Sequence, residues 1–247
     1  MRSHISPAII MRVTEFAETD LLVGFFTMDK GRLKGIAKGA RKSRQRFANC
    51  LDLFCLTSLE YDPVRRGDFH LLQSGKLING FSGLRSAYSA LSLASYMVEL
   101  TEILFPPGVE DRRMFSLLEA VFHALDQGLG PDILRIPFEV KAMTLGGYAI
   151  DFDKCCNCGR PYAGEGEGVF IQERGGISCL KCQQPSKLRP GLSPETVGHL
   201  RAMQQAPINR ITEFLLSAPA REEIRPVLDL HMAYRIGRRL KTAKYLE

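Results

Sequence analysis

Residues 20–39 read DLLVGFFTMDKGRLKGIAKG, and this stretch decides the fold. Leu21 to Phe26 is an apolar cluster of strand length, Met28-Asp29-Lys30-Gly31 carries turn chemistry, and Arg32 to Lys38 alternates cationic with apolar or small residues. Apolar runs of that length broken by Gly and Asp predict a β-hairpin. Outward from it, the apolar residues of Ile5 to Ile78 keep falling into short clusters separated by turn signals. Five strands are predicted, near 5–15, 20–28, 32–39, 50–60 and 67–77, with the polar segment Ala40 to Asn49 joining the third to the fourth and Asp62-Pro63-Val64-Arg65-Arg66-Gly67 the fourth to the fifth. Five strands in so short a span suit an oligonucleotide/oligosaccharide-binding (OB) barrel.

After Gly80-Phe81-Ser82-Gly83 the apolar spacing becomes helical. One helix is expected through Leu104, stopped by Pro106-Pro107-Gly108, a second over Met114 to Leu125, and a third over Pro131 to Gly147 with a bend at Pro137. Ser193-Pro194-Glu195-Thr196 is a helix start, with serine at the N-cap and proline at N1. A final helix is expected from Glu222 to Tyr245. The domains predicted are therefore 1–80, a β-barrel, and 81–247, a helical domain interrupted at about 151–187.

That interruption holds five of the seven cysteines. Cys155 and Cys158, then 20 residues, then Cys179 and Cys182 form two C-x2-C pairs, the spacing at which four thiolates surround tetrahedral Zn²⁺. Gly168 to Ile171 and Gly175 to Ser178 read as the hairpin that returns the second pair to the first. Cys156 competes with Cys155 for the first position. With four sulfurs in place no coordination position stays open for water, so the expected zinc is structural. An odd cysteine count and the absence of an export signal argue against disulfides. Cys50 and Cys55 lie in an apolar stretch and read as small buried hydrophobes.

The 247 residues carry a net charge of +6, and residues 1–80 hold 13 Lys and Arg against 8 Asp and Glu, so almost all of the excess lies there. Lys30 to Arg46 contains eight cations and no acidic residue. On a strand, Arg32, Lys34 and Lys38 share one face, which Ile36 interrupts; Arg41, Lys42, Arg44 and Arg46 follow directly. Such a run attracts phosphate backbones without regard to base sequence. With no tryptophan in the chain, Phe25, Phe47, Tyr61 and Phe69 are the candidates for base stacking, and Arg65-Arg66 the candidate cations of the last barrel loop. A second basic group, Arg235, Arg238, Arg239, Lys241 and Lys244, is expected on the final helix, where cations also oppose the helix dipole. Gly35 to Ser43 lacks the spacing of a phosphate loop, no H-E-x-x-H or H-x-E accompanies the cysteines, and the five histidines are scattered, so catalysis is not expected. No apolar run of transmembrane length is present.

Asp20 to Phe26, Lys38-Gly39-Ala40-Arg41-Lys42-Ser43, Leu145-Gly146-Gly147-Tyr148 before Cys155, and Leu240 to Leu246 at the end occur in an order that resembles the RecO family of bacterial recombination mediators along nearly the whole chain. The resemblance implies binding of single- and double-stranded DNA and annealing of complementary strands. It also implies work with RecR and the single-strand-binding protein in loading RecA, in the cytoplasm at the nucleoid. The family's barrel contacts would fall on Lys34, Lys38, Arg41 and Lys42, with Arg44 and Arg46 close by. The single-strand-binding protein would take an apolar pocket with cations in the helical domain. The competing reading is a zinc-ribbon interaction scaffold with only accessory DNA contact.

Overall fold

The structure, a computed structural model, describes residues 3–63 and 69–246. It forms two compact units, one up to Leu129 and one from Gly130. In the first, β1 (His4–Phe16), β2 (Asp20–Thr27), β3 (Gly31–Ala37), β4 (Leu56–Asp62) and β5 (His70–Asn79) close into a barrel in the order β1-β2-β3-β5-β4, with β4 returning to β1. Every pairing is antiparallel except β3–β5, where Gly35, Ile36 and Ala37 run parallel to His70, Leu71 and Leu72. That order and that single parallel contact are the OB fold.

Strand alternation explains the core. Ala8 and Ile10 of β1, Val23 and Phe25 of β2, Ala37 of β3, Leu59 and Tyr61 of β4 and Leu72 of β5 fill the interior, closed at one end by Ala40, Phe47, Cys50, Leu51 and Cys55. A residue shift between Ile10 and Arg12 bends β1 so that it can pair with both β2 and β4. Gly35 marks the point of closest approach: a Cβ there would lie 2.7 Å from Leu72 Cδ2 and 3.0 Å from the His70 carbonyl oxygen. At Gly31, φ is 63° and an added Cβ would fall 1.8 Å from the Val109 carbonyl oxygen. The hairpin tip therefore needs glycine for its turn and for its neighbour. That neighbour also forms a bridge with Arg32 at Pro107 and donates from the Gly108 N–H to Arg32 O at 2.9 Å.

The predicted strand at 50–60 begins instead at Leu56. Residues 50–55 are a bend, buried at Cys50, Leu51, Phe54 and Cys55, whose apolar content plugs the barrel. The barrel loop containing Arg65-Arg66 lies outside the described residues. The first predicted helix is two, α1 (Ser82–Ser86) and α2 (Tyr88–Leu104), parted at Ala87, whose backbone is extended. α3 (Arg112–Asp126) is capped by the Asp111 carboxylate, which accepts from Met114 N at 2.9 Å. α1 to α3 belong to the same unit as the barrel, and Leu93, Met97, Leu100, Phe115, Leu118 and Phe122 are buried within it.

In the second unit, α4 (Pro131–Leu145) continues through Pro137. Its buried Glu139 accepts from Arg135 at 3.0 Å and from Arg225 at 2.7 Å, so this charge is paired as burial requires. The cysteine segment forms a small sheet, β7 (Gly176–Cys179), β6 (Gly168–Ile171) and β8 (Gly191–Leu192) in spatial order β7-β6-β8. α5 (Pro194–Gln205) starts as predicted, with Ser193 Oγ accepting from Thr196 N at 3.3 Å. The last helix is corrected at both ends: α6 (Ala218–Ile236) is capped by Ser217 and stops at Gly237, which adopts φ 69°. Arg238, Arg239, Lys241 and Lys244 lie beyond it, and Arg235 alone of the group stands in its last turn. No helix of the described residues is long and apolar enough to cross a membrane.

Candidate nucleic-acid interface and metal centre

The hairpin β2–β3 and the connection after it gather the predicted cations. Leu33 and Ala37 point into the barrel, so Lys34 and Lys38 point out, and both are exposed. Lys42 and Arg44 are exposed on the connection, and among the described residues none of these four meets a carboxylate. The connection is anchored by its backbone. Gly39 N–H donates to Asp20 Oδ1 at 2.8 Å, Arg41 N–H to Thr19 O at 3.1 Å, and Gly75 N–H of β5 to Arg46 O at 2.7 Å. A short 3-10 turn, Ala40–Lys42, then directs Arg41 and Lys42 to solvent.

Of the remaining four cations of the run, Lys30 is exposed in the hairpin turn and the other three are engaged. Arg41 meets Glu15 at 3.1 Å, an exposed pair that high dielectric leaves weak. Arg46 donates to Lys38 O at 2.7 Å and lies 5.3 Å above the Phe47 ring. Arg32 sits toward Arg12 and Glu102, and burial lowers its pKa from the usual value. Of the stacking candidates, Phe25, Phe47 and Tyr61 are core residues, and only Phe69 is exposed, at 42%. A feature that the sequence reading did not single out is a cleft of about 400 Å³ under the β3–β4 connection, bounded by β1 and β2 residues Val13 and Leu21 and by Arg41, Ser43, Arg44 and the 47–52 bend.

Cys155, Cys158, Cys179 and Cys182 converge, each sulfur within 4.8 Å of the others, and Cys158 Sγ stands 3.9 Å from Cys179 Sγ. Sulfurs about 2.3 Å from a tetrahedral ion are roughly 3.8 Å apart, so the group is close to the size of a metal site. β6 and β7 bring the pairs together through Gly168 opposite Cys179 and Phe170 opposite Ile177. Tight turns shape each pair: Gly159 N–H donates to Cys155 O at 2.9 Å, and Cys182 N–H to Cys179 O at 2.9 Å. Cys156 stays outside the group, its N–H directed to Ile177 O at 2.8 Å.

Burial would push the Cys155 thiol up, but backbone N–H groups of Cys158 and Cys179 and the Ser178 hydroxyl outweigh it and bring it down to about 5. Cys182 goes the other way, pushed up to about 12 by its hydrogen bonds with Cys179 and Cys158. Four sulfurs this close cannot all ionise without a cation, so one thiolate forms at the expense of its neighbours. The four cysteines can hold a metal ion whose charge would replace the shared protons.

An OB barrel with an outward row of cations, followed by helices that carry a four-cysteine centre, defines a two-part class of protein. Comparison with known families narrows it. The model described as "Recombination protein O N terminal" matches residues 1–81, and "Recombination protein O C terminal" matches residues 85–244. Among curated relatives, the DNA repair protein RecO of Syntrophus aciditrophicus is 29% identical over 99% of this chain and 95% of its own length. That of Anaeromyxobacter sp. strain K is 30% identical over 97% and 94%, and that of Syntrophotalea carbinolica 29% over 100% and 95%. The chain belongs to the RecO family of DNA repair proteins.

Proposed function

We propose that the protein is a non-enzymatic mediator of DNA repair and homologous recombination. It binds single- and double-stranded DNA on the barrel, anneals complementary strands, and with RecR helps load RecA onto DNA covered by single-strand-binding protein. One observation carries this reading: Lys34, Lys38, Lys42 and Arg44 stand exposed on β3 of an OB barrel and the connection that follows it, with no carboxylate partner among the described residues. Neutralising phosphates lowers the repulsion between two strands while leaving base edges free to pair, so annealing needs no nucleotide hydrolysis. Arg41, with its weak partner Glu15, joins this surface when a phosphate displaces the carboxylate; Arg46 braces it through its bond to Lys38 O. The work divides at residue 80, with DNA on the barrel and partners on residues 81–247, in the cytoplasm at the nucleoid.

Zn²⁺ is the ion we assign to Cys155, Cys158, Cys179 and Cys182, because four thiolates in C-x2-C pairs suit it and leave no open position. Its contribution is to the folding of the 151–187 segment. For the single-strand-binding protein, a cleft of about 330 Å³ between α4 and α6 offers Ile136 and Ala218 beside Arg135, Arg221 and Arg225, with Asp132 and Glu222 also at its edge. That cleft also supports the scaffold reading, in which recruitment is primary and DNA contact accessory.

The two readings separate in one experiment. With fluorescent complementary oligonucleotides and no nucleotide, wild type should accelerate annealing and the K38E/K42E variant should lose most of that acceleration while keeping its circular dichroism. Annealing at the wild-type rate by the variant would transfer the function to the scaffold.

A further inference from the structure

The cleft under the β3–β4 connection has two chemistries in one place. Its floor is apolar: Phe47 and Leu51 belong to the barrel core, and Val13 and Leu21 pack against that core. Its rim is polar and exposed, with Arg41 and Arg44 contributing guanidinium groups and Asn49 and Asp52 an amide and a carboxylate. A volume of about 400 Å³ is near the lower end of small-ligand sites, the size of one nucleotide rather than of a peptide segment. The barrel otherwise gives bases little to stack on. Phe25, Phe47 and Tyr61 are buried, and Phe16 and Phe69 are the exposed aromatic rings of the described strands and their flanks.

We propose that this cleft receives one unstacked nucleobase of a single strand, its flat face against Val13 and Leu21, its phosphate at Arg41 and Arg44. The inference rests on the DNA-binding reading and adds the element that reads base rather than backbone. Charge sets the orientation: Asp52 repels a phosphate and accepts hydrogen bonds from base N–H groups, so the phosphate belongs at the arginine side and the base edge toward Asn49 and Asp52. A paired, stacked base cannot enter, so the cleft discriminates single strands from duplex. Once complementary strands pair, the base must leave, which makes the annealed product the weaker ligand and favours its release.

The test compares an oligothymidylate of about 12 nucleotides, within the site size of an OB barrel, with an abasic strand of equal length and charge. Binding of both to the full-length protein is followed by competition against one labelled strand. Wild type should prefer the base-bearing strand by about tenfold, the worth of one well-held base. A48L, at an exposed position lining the cleft, adds aliphatic volume without adding a ring or a charge; it should abolish the preference and bind the abasic strand as wild type does. Equal binding of the two strands by wild type, or an undiminished preference in A48L, overturns the base site while leaving the DNA reading intact. Failure of wild type to bind either strand overturns both.

Discussion

Replacing Lys34 and Lys38 together by alanine tests the electrostatic surface most directly. Both side chains are exposed on the outer face of β3 and its continuation, while the adjacent Leu33 and Ala37 are turned inward, so their removal leaves the core untouched. Four residues of extended chain separate them by about 13 Å, far enough for each to meet its own phosphate. Each phosphate neutralised on a single strand contributes roughly 0.7 to the slope of log affinity against log salt. Loss of two contacts should therefore lower the slope by about 1.4, which over one decade of salt is roughly 25-fold in affinity. In fluorescence anisotropy with a labelled oligonucleotide, the variant should bind about 25-fold more weakly near 0.1 M salt and converge on wild type toward 1 M. R12A is the control, because Arg12 is already engaged by Glu102, with Nε 2.8 Å from both carboxylate oxygens. Parallel salt lines for wild type and the double variant would refute the assignment of these lysines to phosphates, as would an equal loss in R12A.

Metal and pH give three further outcomes. Cobalt-loaded protein should hold one ion per chain and show the thiolate charge-transfer bands of a four-sulfur site, and C155A and C179A should lose them; bands that survive both substitutions would place the metal elsewhere. Chelation should unfold the 151–187 segment while the strand signal of the barrel persists. His231 should make acid destabilising. Its Nε2–H donates to Tyr148 O at 2.7 Å while Nδ1 is buried without a partner, and burial, aided by the charge of Arg235 and opposed by the Tyr148 bond, lowers its pKa from the usual value of 6.5. The folded state then binds fewer protons than the unfolded one below about 6.5, so stability falls as pH drops from there toward the lower folded value. Urea midpoints should fall between pH 7 and 5 in wild type and less steeply in H231F, which starts from a lower baseline; identical slopes would exclude His231 as the cause.

Much of this architecture is legible in the chain because local signals and tertiary context agree. Met28 to Gly31 turns where its composition demands, Ser193-Pro194 starts a helix, and the cysteine spacing brings the intended four sulfurs together. The failures have physical causes. Cys50 to Cys55 is as apolar as a strand because it plugs the barrel, and composition cannot distinguish a plug from a strand. Gly237 is the stop signal of α6, and the helix expected to run on to Tyr245 does not reach the distal cations, of which Lys244 lies in a separate 3-10 turn. Ala87 carries no breaker at all, so the gap between α1 and α2 had no local mark. For the candidate interface, strand alternation located Lys34 and Lys38, but the pairing of Arg41 with Glu15 and the burial of Phe47 and Tyr61 depend on barrel closure between distant segments. The cleft is invisible for the same reason, since Val13, Leu21 and Asp52 meet only when the barrel shuts. Asn49 alone left a local hint, as asparagine tolerates the left-handed backbone it adopts at φ 52°.

The tip of the β2–β3 hairpin is bolted to the segment before α3, through Gly31 against Val109, the Gly108 bond to Arg32, and the Phe26 and Phe105 rings 6.2 Å apart. A hairpin fixed at its far end behaves as a rail and not as a flap. On the proposed DNA-binding reading, a polyanion arriving along β3 meets a hairpin already fixed, so the hairpin itself loses little conformational entropy on contact and regains little on departure. On that reading, exchange of one strand for another is governed by competing salt ions rather than by movement of this hairpin.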